Sequence, residues 1–323
     1  SELYEWQVEC LSTTRALTEG RNLVYSAPTS GGKTLVAEVL AIRALAQREK
    51  RVLFIVPFVA IVQEKVEFLR QLLAEEPFFV RGYCAGGGAA DSFEARGTCA
   101  ELSVCTIEKA GGIINKMLHE GTLDSLGLVV VDEAHMICDP GRGYLLEIML
   151  AKLLCRKQEI QVVCMSATVP NMHDLAKWLS ADLFVSSFRP VALSHFVVEN
   201  GKVSEPGGAL VRKLALLGTE DPDGVAALIL EAVSKRLPTL VFCPTRRSAE
   251  QCARLAARLV SAALASDAAG AVDAAEAERR REEGASEVER SARLGLLSSL
   301  RGSPAGLQPI FAEVVPAGIG VHH

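Results

Sequence analysis

Between Asn22 and Val185 short apolar runs alternate with longer stretches of helical period. Leu23–Ala27, Val52–Val56, Phe78–Tyr83, Leu102–Cys105, Leu128–Val131 and Val162–Met165 read as strands. Most are rich in β-branched residues and lack polar alternation, as strands covered on both faces do. Lys33–Gln47 and Ala60–Ala74 follow the first two as helices. This alternation predicts a parallel α/β sheet with flanking helices. Gly82–Gly97, dense in Gly and Ala, reads as a surface loop. Lys202–Gly224, with Gly, Pro and Asp clusters at both ends, reads as a connector. A second alternation then begins, with a helix over Val225–Arg236, a strand over Leu240–Cys243 and a helix over Ser248–Leu264. Residues 266–290 are low in complexity and read as a solvated charged helix or as disorder. The expected division is a first domain over 1–200, a connector over 201–224 and a partial second domain over 225–323.

Composition narrows this picture in few places. A chain of 323 residues is long enough for two domains. No window approaches ~18 consecutive apolar residues, so no membrane span is expected. The start, Ser1-Glu2-Leu3-Tyr4, lacks the basic-then-apolar pattern of a signal peptide. The net charge of −5 does not by itself announce a nucleic-acid binder. Residues 261–290, with eight acids and four arginines, carry most of it. The remainder is close to neutral, which leaves room for a local basic groove. None of the nine cysteines forms a Cys-x-x-Cys pair, so they read as free thiols rather than a zinc site.

Three short blocks carry candidate chemistry. Ala27-Pro28-Thr29-Ser30-Gly31-Gly32-Lys33-Thr34 lies between a strand and a helix. Phosphate binding calls for that context: N–H groups at a helix start, a lysine for the β- and γ-phosphates, and a hydroxyl for Mg²⁺. Ala27 stands where the strict pattern opens with Gly. Asp132-Glu133-Ala134-His135 follows the apolar run Leu128–Val131, at the strand end where parallel sheets place ligands. There Asp132 would hold Mg²⁺ together with Thr34, and Glu133 would orient and deprotonate the attacking water. Ser166-Ala167-Thr168, after Val162–Met165, suits hydrogen bonding to the acidic box and relay of the nucleotide state, with His135 on the other side. Taken alone, these hydroxyl residues would be ordinary turn or cap residues.

Together these blocks resemble the superfamily 2 helicases. Leu3-Tyr4-Glu5-Trp6-Gln7, Asn22–Ser30, Cys105–Ala110, Arg142–Glu147 and Phe188–Val191 are similar to one group within it: the helicase region of DNA polymerase theta, its plant counterpart Tebichi and the HELQ helicases. The similarity covers most of residues 1–200. It returns at Leu240–Arg246 and Val315–His323. The resemblance implies a RecA-like first domain followed by an incomplete second one, with ATP and Mg²⁺ as cofactors. It also implies that Gln7 reads the adenine edge. Pro57, Phe58, Thr106 and Lys109 would lie along a nucleic-acid strand, and Arg246 would face it. For Pro57 a strand terminator, for Lys109 a solvated helix-start lysine and for Arg246 a surface arginine are the alternatives. In this group the third residue of the acidic box is usually Leu or Val, where this chain has Ala134.

The family's last motif, Gln-x-x-Gly-Arg-x-Gly-Arg, does not occur here; Arg301-Gly302-Ser303 is the nearest approach and lacks its pattern. Such arginines contribute roughly 10³ to 10⁵ in rate in related phosphoryl-transfer enzymes. The expectation is therefore a fragment that binds ATP weakly and hydrolyses it slowly. As part of a whole protein, the resemblance implies an ATP-dependent DNA helicase or translocase moving 3′ to 5′ on single-stranded DNA. It further implies a nuclear protein of DNA repair, with a polymerase domain C-terminal in the same chain. An RNA helicase of the exosome-associated superkiller type, a non-motor nucleic-acid binding module, and a P-loop ATPase acting on protein are the alternatives.

Overall fold

Seven segments of the first part of the chain pair in parallel. They are β1 (Leu23–Ser26), β2 (Arg51–Val56), β3 (Phe79–Tyr83), β4 (Glu101–Thr106), β5 (Leu126–Val131), β6 (Gln161–Ser166) and β7 (Asp182–Val185). Their order across the sheet is β3-β4-β2-β5-β6-β1-β7. In the five inner strands every residue is buried, whereas β3 and β7, at the two edges, alternate with exposed positions. An inner strand covered on both faces has no polar side to show, which is why the inner five read as continuous apolar runs. Here the computed structural model describes residues 3–48, 50–84, 101–155, 160–167, 171–216, 221–269, 287–302 and 306–322.

Alternate residues of each strand feed two separate cores. Leu23, Tyr25, Phe54, Val130 and Met165 pack against α1 (Glu5–Thr13), α2 (Lys33–Arg48) and α3 (Val59–Leu72). Val24, Ile55, Val131 and Cys164 pack against α4 (Ile107–Glu120), α5 (Gly143–Leu154) and α6 (Met172–Trp178). This doubly covered parallel sheet is the expected RecA-like α/β architecture. The order also juxtaposes the candidate blocks: β6 lies between β5 and β1, with Val131 in register with Cys164 and Ser26 with Ser166. The three motifs therefore leave three neighbouring strands at the same edge of the sheet.

The chain divides into two compact units, Ser1–Leu193 and Ser194–His323. In the second, β8 (Val197–Glu199), β9 (Lys202–Ser204) and β10 (Leu210–Lys213) form an antiparallel sheet in the order β10-β9-β8. Two of its three strands fall within the stretch read as a connector. Asn200 and Gly201, with φ of 50° and 70°, make the β8–β9 turn. Positive φ at both central residues is what an Asn-Gly hairpin supplies. The helices α7 (Val225–Ser234), α8 (Arg246–Ala269), α9 (Glu287–Arg301) and α10 (Pro309–Val314) follow. The buried carboxylate of Asp221 accepts from the Ala226 and Ala227 amides, at 2.9 Å each, and so satisfies the first turn of α7.

One strand expectation fails. Leu240–Cys243 joins no sheet, and Leu240 and Phe242 are 78% and 88% exposed. A strand needs a neighbour to pair its N–H and C=O groups, and among the described residues this run has none. Of the low-complexity stretch 266–290, residues 266–269 end α8 and 287–290 begin α9; the intervening part lies outside the described residues, as do residues 85–97 of the expected loop.

Candidate functional site

The loop from Ala27 to Thr34 starts from a fully buried anchor. Ala27 is completely covered, and its amide donates to the Ser166 carbonyl at 3.4 Å, extending the β1–β6 ladder into the loop. Pro28 accepts from Gly31 N at 3.1 Å and from Lys33 Nζ at 3.4 Å. Ser30 and Gly32 have φ of +62° and +76°, and Gly31 between them does not share the positive sign. Alternation of this kind turns successive N–H groups inward and makes an anion-binding concavity. The positive φ at Gly32 calls for glycine, and a Cβ there would meet Gln7 Nε2 at 2.7 Å and push that side chain aside. Lys33 opens α2, and Thr34 follows it half-buried.

The loop is held from behind. Trp6 Nε1 donates to the Gly31 carbonyl at 3.0 Å and Gln7 Nε2 to the Gly32 carbonyl at 2.8 Å. Gln7 Oε1 accepts from Tyr4 N at 2.9 Å, so both ends of this buried amide are occupied. The Tyr25 hydroxyl donates to the Lys33 carbonyl at 2.7 Å, with Met165 Sδ 3.1 Å away. Complete burial pushes the Tyr25 pKa well above its ordinary value and keeps the donor proton in place. Trp6 lies beside Tyr25 and Phe184, with ring centroids 6.5 and 6.4 Å away, and Tyr4 stands 4.9 Å from Phe188.

The acidic box leaves β5 directly. Asp132 N donates to the Ile55 carbonyl at 2.8 Å, the last bond tying it to β2, and Asp132 Oδ1 accepts from Glu133 N at 2.8 Å. Glu133 has φ of +49°, a left-handed conformation that costs a non-glycine residue of order 1 kcal/mol or more. Its Oε2 is buried with no hydrogen-bond partner. His135 Nδ1 lies 3.2 Å away, close enough for an ion pair but out of line for a hydrogen bond. That ring nitrogen instead stands 3.0 Å from Ser166 Oγ. The box and the β6 end are thus joined through His135. Ala167 is described beside Ser166; Thr168 lies outside the described residues.

Burial raises the Asp132 pKa, and the Glu133 charge raises it further; the adjacent Glu133 amide, Lys65 and Lys33 pull the other way. The sign has two consequences. A folded carboxyl that holds its proton more tightly than the unfolded one loses stability as pH rises from the ordinary aspartate value through the raised one. Above the raised value that cost is fully present. Asp132→Asn, which keeps the acceptor for Glu133 N, should therefore melt higher than the parent in nucleotide-free buffer near pH 7. The gain should vanish at acid pH, where Asp132 is protonated. Equal melting temperatures at both pH values would contradict this.

Lys65 has a concealed partner. Its Nζ pairs with Glu38 Oε1, both side chains nearly buried, and lies 5.0 and 5.4 Å from the ring centroids of Phe54 and Phe68. No sequence motif flags this pair. The signal was only a lysine in an amphipathic helix, which ordinarily points to water.

The expected nucleic-acid residues are less uniform. Phe58 is 54% exposed just beyond β2. Thr106 is buried at the end of β4, and Lys109 is half-buried in the first turn of α4. Arg246, in the second unit, is exposed at the start of α8. Arg142 links the first two places: its Nη1 donates to the Pro57 carbonyl at 2.8 Å and stands 3.6 Å from Glu108, with its guanidinium 5.2 Å from the Phe58 ring centroid. The loop that follows the acidic box is thereby tied to the Pro57 and Glu108 segments.

The donor set suits a Mg²⁺-bound nucleoside triphosphate. There is a glycine cradle that a Cβ would fill, a lysine at the helix start, a hydroxyl beside it, a carboxylate, and an orphaned carboxylate oxygen. Thr34 and Asp132 are the groups able to hold the metal, and Glu133 has an acceptor free for a water.

Comparison with known proteins gives a consistent picture. Residues 5–175 match the DEAD/DEAH box helicase family. A DNA polymerase theta of Drosophila melanogaster is 42% identical over 271 residues, covering 81% of this chain and 13% of that protein. A Helicase POLQ-like of Homo sapiens is 41% identical, over 80% of this chain and 24% of that protein. An ATP-dependent DNA helicase Hel308 of Methanocella arvoryzae is 32% identical, over 81% and 34% respectively. The chain thus spans only about a third or less of the length of these relatives. Among solved structures, the DUF1998 helicase MrfA superposes with a TM-score of 0.60 at 19% identity, covering 92% of this chain and 42% of that one, a likeness of fold.

Proposed function

Because the chain belongs to the DEAD/DEAH box helicase family, we propose that it is the nucleotide-hydrolysing part of an ATP-dependent DNA helicase or translocase of DNA repair, acting in the nucleus. One observation carries the reading. The phosphate loop, the acidic box and Ser166 leave three neighbouring parallel strands at one edge, and there Glu133 Oε2 is buried without a hydrogen-bond partner.

In this reading the N–H groups around Gly32–Thr34 and the Lys33 ammonium hold the phosphates. Thr34 and Asp132 hold Mg²⁺, which when bound supplies neutralisation of phosphate charge. Glu133 accepts a proton from the attacking water through the carboxylate oxygen that no protein donor occupies. His135 and Ser166 register the change of charge across the β5–β6 gap. Pro57, Phe58, Thr106 and Lys109 follow the DNA strand, with Arg142 fixing Pro57 against Glu108. Gln7 reads adenine with the second amide hydrogen and second oxygen lone pair that its bonds to Gly32 and Tyr4 leave over. The second unit, with Arg246, opens a second motor domain, and a polymerase domain in the same protein is part of the proposal. The names of the relatives support DNA over RNA.

The test is ATP turnover by the purified protein with single-stranded DNA or single-stranded RNA of equal length, at fixed salt because phosphate contacts are salt-dependent. Stimulation by DNA well above that by RNA supports the reading. Equal or greater stimulation by RNA would move the protein to the RNA helicases, and stimulation by neither would remove nucleic acid from the account.

A further inference from the structure

Three consecutive carbonyls of the phosphate loop are each engaged by a side-chain donor from outside it. Gly31 O accepts from Trp6 Nε1 at 3.0 Å, Gly32 O from Gln7 Nε2 at 2.8 Å, and Lys33 O from Tyr25 Oη at 2.7 Å. In a trans peptide the C=O and the following N–H point in opposite directions, and the chain holds no cis bond. Fixing the carbonyls of residues 31, 32 and 33 therefore fixes the N–H groups of Gly32, Lys33 and Thr34 on the other side. Those are N–H groups that a helix start leaves without intrahelical partners.

We propose that Trp6 and Tyr25, with Gln7 between them, are positioning residues that present the Gly32, Lys33 and Thr34 amides to the phosphates, a clasp on the far side of the nucleotide. The inference rests on the nucleotide reading above and adds residues that none of the phosphate-binding motifs contains. The construction is rigid. Trp6 is 5% exposed, and Tyr25 is fully buried in the core of β1. Trp6 stacks on Phe184 of β7 and stands beside Tyr25, so α1, β1 and β7 brace the same indole. Tyr4 and Phe188 close the group at its outer end. A phosphate reaching this loop finds its amides already turned, so little ordering remains to be done on binding.

The geometry separates the clasp from general support of the fold. Tyr25→Phe keeps the ring and removes only the donor hydroxyl, whereas Trp6→Phe removes the donor together with part of the buried indole. The measurement is competition against a fluorescent ATP analogue on the purified protein, using inorganic tripolyphosphate and, separately, adenosine, with thermal melting recorded for each variant. Tripolyphosphate meets the amides that the clasp positions, beside the Lys33 ammonium, and leaves the adenine-reading side chain untouched. Its inhibition constant should rise about three- to tenfold in each variant, the size expected for one lost hydrogen bond to the backbone. Adenosine's should stay within about twofold. If Trp6→Phe melts too low to assay, Tyr25→Phe carries the test alone. Unchanged tripolyphosphate competition, or a parallel loss for tripolyphosphate and adenosine, overturns the clasp. Failure of tripolyphosphate to compete on the parent protein overturns the nucleotide reading itself, and the clasp with it.

Discussion

Glu133→Gln is expected to lower ATP turnover by about 10²- to 10⁴-fold, the range a positioned general base contributes, while nucleotide affinity stays within about threefold. Glutamine fills the same space and keeps an acceptor, so the left-handed turn at Glu133 and its amide bond to Asp132 remain. What disappears is the group that takes a proton. Glu133 Oε2 is buried, lacks a hydrogen-bond partner and lies out of line with His135, so no protein donor competes with a water for it. Single-turnover hydrolysis measured beside equilibrium binding separates the two effects. A variant that hydrolyses within tenfold of the parent would assign the proton to another group.

Gly143→Ala should destabilise the first unit by about 2–3 kcal/mol, in the range of overpacked sites. For a unit of this size that corresponds to a melting temperature lower by about 5–10 °C. A Cβ at Gly143 would lie 2.1 Å from the Ile137 carbonyl oxygen and 3.0 Å from that of Met136. Both are backbone, in the 3₁₀ turn Ala134–Cys138 that follows the acidic box, so neither can swing aside as a side chain would. Either α5 or the turn must move. Arg142, immediately before Gly143, would move with them and loosen its bond to the Pro57 carbonyl. Stimulation of ATP turnover by single-stranded DNA should therefore fall more than the basal rate. Gly111→Ala in α4 is the control, because nothing lies within 4 Å of its added Cβ. Parent-like melting of Gly143→Ala would show that the turn yields freely.

Much of the first unit was legible because its physics is local. Runs such as Leu128–Val131 are apolar on both faces, and helix periodicity after β1 and β2 leaves few arrangements except a covered parallel sheet. The phosphate loop and the acidic box were legible because their chemistry sits on consecutive residues. The strand order that brings β5, β6 and β1 together was not, since no local feature of Val131 states that Cys164 lies beside it. Edge strand β7 was passed over because Asp182–Val185 is short and half-exposed. The β8–β9 hairpin was missed although Asn200-Gly201 between valine-containing runs announces one; the surrounding Gly, Pro and Asp residues read as a connector. Leu240–Cys243 shows the opposite failure, since an apolar run cannot create a ladder without a partner. In the site, Gln7 was singled out, but Trp6 and Tyr25 were not. A tryptophan or tyrosine in an apolar run reads as core, and only the structure shows where its N–H or O–H is spent.

The central claim is that the loop Ala27–Thr34 and the box Asp132–His135 form one ATP-hydrolysing site answerable to a DNA strand. Steady-state ATP hydrolysis by the parent and by Lys33→Ala, with and without single-stranded DNA, tests it most directly. The account predicts hydrolysis that rises with single-stranded DNA in the parent and is lost, with and without DNA, in Lys33→Ala. Parent hydrolysis indifferent to DNA, or a Lys33→Ala protein that turns over ATP as the parent does, would contradict it.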